Sequence, residues 1–106
     1  MDKRLPTILS ELRQQFEALY GERLPHMVLF GSQARGGADP GADIDVLVVL
    51  HGPVDPGEEI ARTGEPTASL SLAYDVAISR VFVSADRFSD EQSPLLLNIR
   101  REGMAV

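Results

Sequence analysis

Cysteine is absent from this 106-residue sequence, and histidine occurs only twice, at His26 and His51. Disulfides, thiolate metal sites and a cysteine nucleophile are therefore excluded, and a zinc site is not expected. No segment approaches the roughly 18 consecutive apolar residues that a membrane-spanning helix requires. The polar N-terminal stretch also lacks the apolar core of a signal peptide. These absences predict a cytoplasmic protein that does not bind a membrane.

Basic side chains are scarce, because ten lysines and arginines stand against sixteen aspartates and glutamates, which gives a net charge of -6. This charge repels the phosphate backbone of DNA or RNA, so nucleic-acid binding is not expected. A single nucleotide is still compatible with it, because divalent cations and a local cluster of amides with an arginine can offset the phosphate charge. The acidity also suits contact with a basic protein.

The length predicts one domain over residues 1–106, because the chain is long enough for one hydrophobic core and too short for two. Its hydrophobic content of 43% and charged content of 25% are typical of an ordinary globular protein. No residues are left over for a separate substrate-binding domain. A protein partner, or a second copy in a homodimer, is therefore expected to complete the substrate site.

Hydrophobic spacing predicts helices and strands in alternation. Apolar residues recur every three or four positions over residues 5–20, so an amphipathic helix is expected there, with Gly21 as its stop. The continuous apolar segments 27–30 and 44–50 predict two buried strands. The β-branched and aromatic residues of segment 74–83 predict a third.

Two further helices are expected in the second half of the chain. One lies between residues 52 and 71 and is kinked or broken near Pro66, and the other spans residues 94–102 with Gly103 as its cap. The predicted fold class is α/β or α+β. We expect a short mixed sheet with helices packed mainly on one face and the active site open on the other.

Residues suited to phosphate and metal binding follow the first predicted strand and begin the second. Gly31 permits a sharp turn and a close approach to a phosphate, Ser32 offers a hydroxyl and an amide, and Arg35 can add a charge-assisted contact. A short helix over residues 33–35 would turn its free amides toward the phosphates. Asp43 and Asp45 lie one residue apart, so they point to the same side of a strand and can share Mg²⁺.

Asp75 is the third candidate carboxylate, because it lies within the otherwise apolar start of the third predicted strand. An unpaired carboxylate is costly there, and a neighbouring strand would bring it beside the other two. Three carboxylates would hold two metal ions roughly 3.5–4 Å apart. Asp75 would then orient or deprotonate the acceptor. The structural alternative is that Asp75 accepts a backbone hydrogen bond or pairs with Arg80, and Arg35 has the alternative of being a surface charge.

The segment Gly31-Ser32, ten further residues, then Asp43-Ile44-Asp45 resembles the signature of the DNA polymerase β-like nucleotidyltransferase superfamily. The small size, the third aspartate and the final stretch 95–103 resemble its minimal nucleotidyltransferases. The resemblance covers nearly the whole chain. One residue departs from the pattern: Ala42 stands where the superfamily commonly has serine, and the lost hydroxyl contact is expected to weaken the site without abolishing it.

The resemblance implies the nucleotidyltransferase fold, ATP as the substrate and two Mg²⁺ ions. Many such proteins are antitoxins encoded beside a HEPN-domain ribonuclease toxin, and some inactivate it by transferring AMP to a tyrosine. An antitoxin that adenylylates a HEPN-domain toxin is therefore the leading hypothesis. The alternatives are a transferase for a small hydroxylated molecule, similar to the aminoglycoside nucleotidyltransferases, and a non-catalytic antitoxin that acts by binding alone.

Overall fold

The computed structural model describes residues 3–36 and 43–106, which form a four-stranded mixed sheet and six helices. The strands are β1 His26–Phe30, β2 Ile44–Leu50, β3 Ile78–Ser84 and β4 Met104–Ala105. The helices are α1 Leu5–Tyr20, α2 Ser32–Arg35, α3 Pro56–Arg62, α4 Gly64–Tyr74, α5 Ala85–Asp90 and α6 Pro94–Glu102. The predicted fold class is confirmed.

The sheet has the strand order β3-β2-β1-β4. Strand β1 is antiparallel to both of its neighbours, whereas β2 and β3 run parallel. The parallel pair requires a crossover connection, which α3 and α4 provide. Since β2 lies at the centre, its first residues are flanked by the end of β1 on one side and by the start of β3 on the other.

Alternate residues of β2 enter two different cores, one on each face of the sheet. Ile44, Val46 and Val48 pack in the larger core, to which α1 and α4 contribute. Leu47 and Val49 pack in a smaller core with residues of α5 and α6. The larger helical layer therefore covers one face, while the smaller core covers only part of the other face.

Helix α1 has the predicted bounds, with Pro6 in its first turn and Gly21 at its end. Its fully buried residues, which include Ile8, Leu12 and Phe16, follow the spacing of three and four and lie in the larger core. None of the helices in the described residues combines the length and apolar composition needed to cross a bilayer.

The predicted break in the middle of the chain is present, but its exact position and the start of the third strand differ from the prediction. The break between α3 and α4 lies at Thr63, whose hydroxyl donates a 2.8 Å hydrogen bond to the carbonyl oxygen of Glu59. Pro66 lies in the first turn of α4, where its missing N–H is not required by the helix. Helix α4 continues to Tyr74, so the third strand begins at Ile78 rather than at residue 74.

Strand β4 was not predicted, because two exposed residues after a helix carry no strand pattern. Gly103 makes it possible as the cap of α6. A Cβ atom added there would lie 2.4 Å from Cγ1 of Val28 and 2.5 Å from the carbonyl oxygen of Ile99. The chain therefore passes directly over β1 before it pairs with that strand.

Candidate active site

Gly31 brings the end of β1 into contact with a carboxylate of β2. Its backbone has φ +75° and ψ -157°, a conformation that is essentially restricted to glycine. A Cβ atom at this position would lie 2.5 Å from Oδ2 of Asp45. The register of the two strands explains the proximity, because Phe30 pairs with Asp45. Gly31 is therefore required both for the turn and for the close approach of the carboxylate.

The predicted short helix after the turn is present as α2, which begins at Ser32. Its single turn is closed by a 3.3 Å hydrogen bond from the amide of Arg35 to the carbonyl oxygen of Gly31. Gly36 ends the helix in the left-handed conformation. The first amides of such a turn have no partner within the helix and point toward its N-terminal side. Ser32 directly follows Gly31 and is partly buried.

Asp43 and Asp45 lie at the beginning of β2 with the buried Ile44 between them. Asp43 is exposed and Asp45 is partly buried. Burial raises the pKa of Asp45, and the negative charge of Asp43 raises it further. The two carboxylates are thus close enough to repel each other, as their alternation along the strand predicted. Ala42, the predicted point of weakness, lies outside the described residues.

The raised pKa of Asp45 predicts a stability effect in metal-free protein. A carboxyl group whose pKa is raised by folding favours the folded state below its unfolded pKa, and this contribution is lost as the pH rises through the folded pKa. Ionised Asp45 therefore destabilises the folded protein at neutral pH. In EDTA at pH 7, Asp45→Asn is expected to raise the Tm by a few degrees, and the gain should shrink as the pH falls toward 4.

Differential scanning fluorimetry of the wild type and the variant from pH 4 to pH 7 checks this expectation. Asp90→Asn is the matched control, because Asp90 is exposed at the end of α5 and the substitution changes the net charge equally. A Tm for Asp45→Asn below that of the wild type at pH 7 would show that Asp45 stabilises the fold instead.

Asp75 does not lie on a strand, contrary to the prediction. It follows the last residue of α4, is exposed, and adopts the left-handed conformation with φ 53° and ψ 53°. Ala77 rather than Asp75 lies beside the start of β2, since its carbonyl oxygen accepts a 2.9 Å hydrogen bond from the amide of Ile44. Among the described residues, no three His, Cys, Asp or Glu side chains are placed to hold a metal ion. The predicted set of three carboxylates is therefore not formed.

Ser79 occupies the position on β3 that pairs with Asp45. Paired residues of neighbouring strands project from the same face, so the exposed Ser79 lies on the carboxylate side of the sheet. The sequence analysis missed this residue. Ser79 can be identified only when the start of β3 is known. The predicted strand began at residue 74 instead of Ile78, and this difference of four residues placed Asp75 at the position of Ser79.

Arg35 is 58% exposed and lies 3.7 Å from a carboxylate oxygen of Glu102 on α6. Between α2 and α6 the surface forms a groove of about 160 Å³, which we call the α2–α6 groove. It is lined by Gly31 and Arg35, by Leu95, Asn98 and Glu102 of α6, and by Phe30 and Ile99. The groove thus shares Gly31 with the turn beside Asp45.

A second cavity, of about 400 Å³, lies between α1 and β4 and has mainly apolar walls. None of the predicted site residues lines it. The polar groups lie instead around Gly31, where the turn contacts Asp45, Asp43 precedes that carboxylate by two residues, and Arg35 lines the adjacent groove. Chemistry therefore assigns the candidate site to the Gly31 region rather than to the larger cavity.

Comparison with known families matches residues 9–95 to the nucleotidyltransferase domain. A Methanocaldococcus jannaschii protein named as a protein adenylyltransferase is 30% identical over 74 residues, which cover 70% of this chain and 74% of that protein. A second protein of the same organism and the same assigned activity is 42% identical over 48 residues, or 45% of this chain and 33% of that protein. The chain belongs to the nucleotidyltransferase domain family.

Solved structures show the same fold. A structure described as a minimal nucleotidyltransferase has a TM-score of 0.60 at 22% identity and covers 100% of this chain and 97% of its own. A toxin–antitoxin complex with AMP-PNP has a TM-score of 0.61 at 22% identity, with 89% of this chain and 68% of the other covered. For the toxin–antitoxin pair MntA–HepT the TM-score is 0.53 at 22% identity, with coverages of 94% and 66%.

Proposed function

We propose that this nucleotidyltransferase transfers AMP from ATP to a hydroxyl group of a partner protein in a Mg²⁺-dependent reaction. The partner in this proposal is a HEPN-domain toxin, which the modification inactivates. The observation that carries the proposal is the contact between the Gly31 turn and Asp45. It places a phosphate-binding turn and a pair of carboxylates at one point of the sheet.

The carboxylates of Asp43 and Asp45 fit a magnesium site. Their oxygen atoms are the ligands that Mg²⁺ prefers, and the ion completes its octahedron with water and substrate phosphates. Burial raises the pKa of Asp45, and electrostatic repulsion by Asp43 raises it further. A divalent cation would remove this repulsion and keep both groups ionised. We therefore assign these two residues to one or two Mg²⁺ ions, and Mn²⁺ suits the same ligands.

The triphosphate would lie on the N-terminal side of α2. The missing side chain of Gly31 leaves room for the Asp45 carboxylate beside the turn, and the amide and hydroxyl of Ser32 can donate hydrogen bonds to a phosphate there. Arg35 is exposed, and among the described residues its ion pair is the long one with Glu102 at 3.7 Å, so its guanidinium can turn to a phosphate oxygen. The net charge of the protein opposes an anion, which makes these local donors necessary.

The transfer forms a bond between the acceptor oxygen and the α-phosphorus and breaks the bond from that phosphorus to the leaving pyrophosphate. The proton of the acceptor hydroxyl passes to water. A bound metal ion supplies positive charge that lowers the pKa of the hydroxyl and stabilises the pyrophosphate. Asp43 and Asp45 hold that charge in place, while Gly31 and Ser32 orient the phosphates.

A protein acceptor is supported by the assigned activity of the two Methanocaldococcus jannaschii relatives. It is also supported by the toxin–antitoxin complexes among proteins of the same fold. Within this chain, the net charge of -6 favours a basic partner such as an RNA-cleaving protein. In this proposal the protein that brings the hydroxyl group also completes the acceptor site.

The test is label transfer in a lysate of the source organism supplemented with the protein and Mg²⁺. With ATP labelled at the α-phosphate, one labelled protein band is expected. With ATP labelled at the γ-phosphate, or with EDTA present, no band should appear, because the β- and γ-phosphates leave as pyrophosphate. Label found only in the small-molecule fraction would favour a transferase for a small hydroxylated molecule. Absence of label in both fractions would overturn the proposal.

A further inference from the structure

The α2–α6 groove borders Gly31, the residue at the turn beside Asp45. Its volume of about 160 Å³ is well below the roughly 300–1,000 Å³ of pockets that enclose a whole ligand. It therefore suits one ring system of a larger molecule. The rest of that molecule must lie outside the groove, and the turn at Gly31 is immediately adjacent.

The walls of the groove combine apolar faces with one amide. Leu95 and Ile99 contribute aliphatic surface from α6, and Phe30 contributes an aromatic ring. Asn98 lies between these α6 residues along the helix and is exposed, and its side chain makes no hydrogen bond with any of the described residues. A nucleobase has the matching chemistry, since its faces are apolar and its edge carries hydrogen-bond donors and acceptors.

We propose that the α2–α6 groove holds the base of the nucleotide and that the Asn98 side chain bonds to the edge of the base. This inference rests on the proposed function, because the phosphates are assumed to lie at Gly31 and Ser32. An amide offers one donor and one acceptor side by side, the pair that matches the edge of adenine. Asn98 is thus a specificity-determining residue, whereas Ser32 is assigned to the phosphates, and Arg35 lies between the groove that it lines and the phosphates.

The base is a better occupant of the groove than an acceptor side chain. Gly31 lines the groove and also forms the turn. A base in the groove and phosphates at the turn are therefore adjacent, and the ribose can connect them. The acceptor oxygen has to approach in line with the leaving pyrophosphate, on the open side of the transferred phosphate. Leu95, which is 48% exposed, would lose exposed apolar surface when the base binds.

Equilibrium binding separates base recognition from phosphate recognition and needs no catalysis. Isothermal titration with Mg²⁺ would compare a non-hydrolysable ATP analogue with inorganic tripolyphosphate. Asn98→Ala is expected to lower the affinity for the ATP analogue roughly 3- to 10-fold, because one or two hydrogen bonds to the base are lost. Binding of tripolyphosphate should not change. Alanine favours a helix, so the substitution is not expected to unfold α6.

Gln92→Ala is the matched control, since it removes another exposed amide outside the groove and should change neither affinity. The corresponding GTP, CTP and UTP analogues extend the test, because Asn98→Ala should bring the four affinities closer together. Equal affinity of the wild type and Asn98→Ala for the ATP analogue would overturn the inference. Selective binding that depends on Asn98, without any label transfer, would refute the transferase proposal and leave the base site standing. Failure of the wild type to bind any nucleotide would overturn both.

Discussion

Replacing Asp43 and Asp45 together by asparagine is expected to slow AMP transfer by about 10³-fold or more. The reason is the loss of the two negative charges that are proposed to hold a metal ion against the triphosphate. Metal-bound positive charge contributes several kcal/mol to such a reaction, and each 1.36 kcal/mol corresponds to about one factor of ten in rate. The rate of α-label transfer to the acceptor protein at saturating ATP and Mg²⁺ is the measurement.

The fold is expected to survive this double substitution. Asparagine has nearly the same shape, and the charge at Asp45 raises the free energy of the folded protein instead of lowering it. Circular dichroism and the Tm in EDTA should therefore match or exceed those of the wild type. The surface variant Asp86→Asn/Asp90→Asn, in which both residues are exposed on α5, controls for the same change in net charge and should retain full transfer. Transfer by the double variant within a factor of ten of the wild type would refute the metal assignment.

The same variant distinguishes an enzyme from a binding protein. If the partner is inactivated by modification, the double variant should fail to protect cells that express the toxin, although it still folds and associates. Protection that survives the loss of both carboxylates would favour the non-catalytic alternative. The two outcomes are separable because the carboxylates lie at the turn, while the remaining surface of the chain is unchanged.

Rules of local backbone geometry were sufficient to predict the parts of the site whose residues are neighbours in the sequence. The alternation of strand side chains predicted that Asp43 and Asp45 face the same way, and the raised pKa of Asp45 agrees with their proximity. The need for Gly31 could be predicted from the turn that follows β1. Its contact with Asp45 could not, because that contact depends on the register between β1 and β2.

Asp75 was misplaced for a physical reason. Segment 74–83 is rich in β-branched and aromatic residues, but its first residue is held in α4 by packing of that helix, which buries Leu70 and Thr67. Tertiary contacts outweigh local strand preference at such a boundary. The left-handed conformation of Asp75 then redirects the chain before β3 begins. Asn98 was overlooked for a related reason, since its importance depends on where α6 packs on the sheet.

Gly31→Ala is expected to damage both stability and transfer, because the alanine Cβ would lie 2.5 Å from Oδ2 of Asp45. The backbone conformation alone costs of order 1–3 kcal/mol for a residue other than glycine. With the added steric contact, a loss of about 2–4 kcal/mol in the free energy of unfolding is expected in urea titrations. Displacement of the carboxylate should also lower AMP transfer about 10²-fold, the cost of a misplacement near 1 Å.

Comparison with Gly36→Ala separates the steric contact with Asp45 from the cost of the backbone conformation. Gly36 also has a positive φ, of +77°, but a Cβ atom there would meet nothing within 4 Å. This variant should lose about 1–2 kcal/mol of stability and retain its transfer activity. A Gly31→Ala protein that keeps the transfer rate of Gly36→Ala would show that Asp45 functions without its contact to the turn. Loss of transfer at Gly31 alone would instead tie catalysis to the point where the phosphate-binding turn and the metal-binding carboxylate meet.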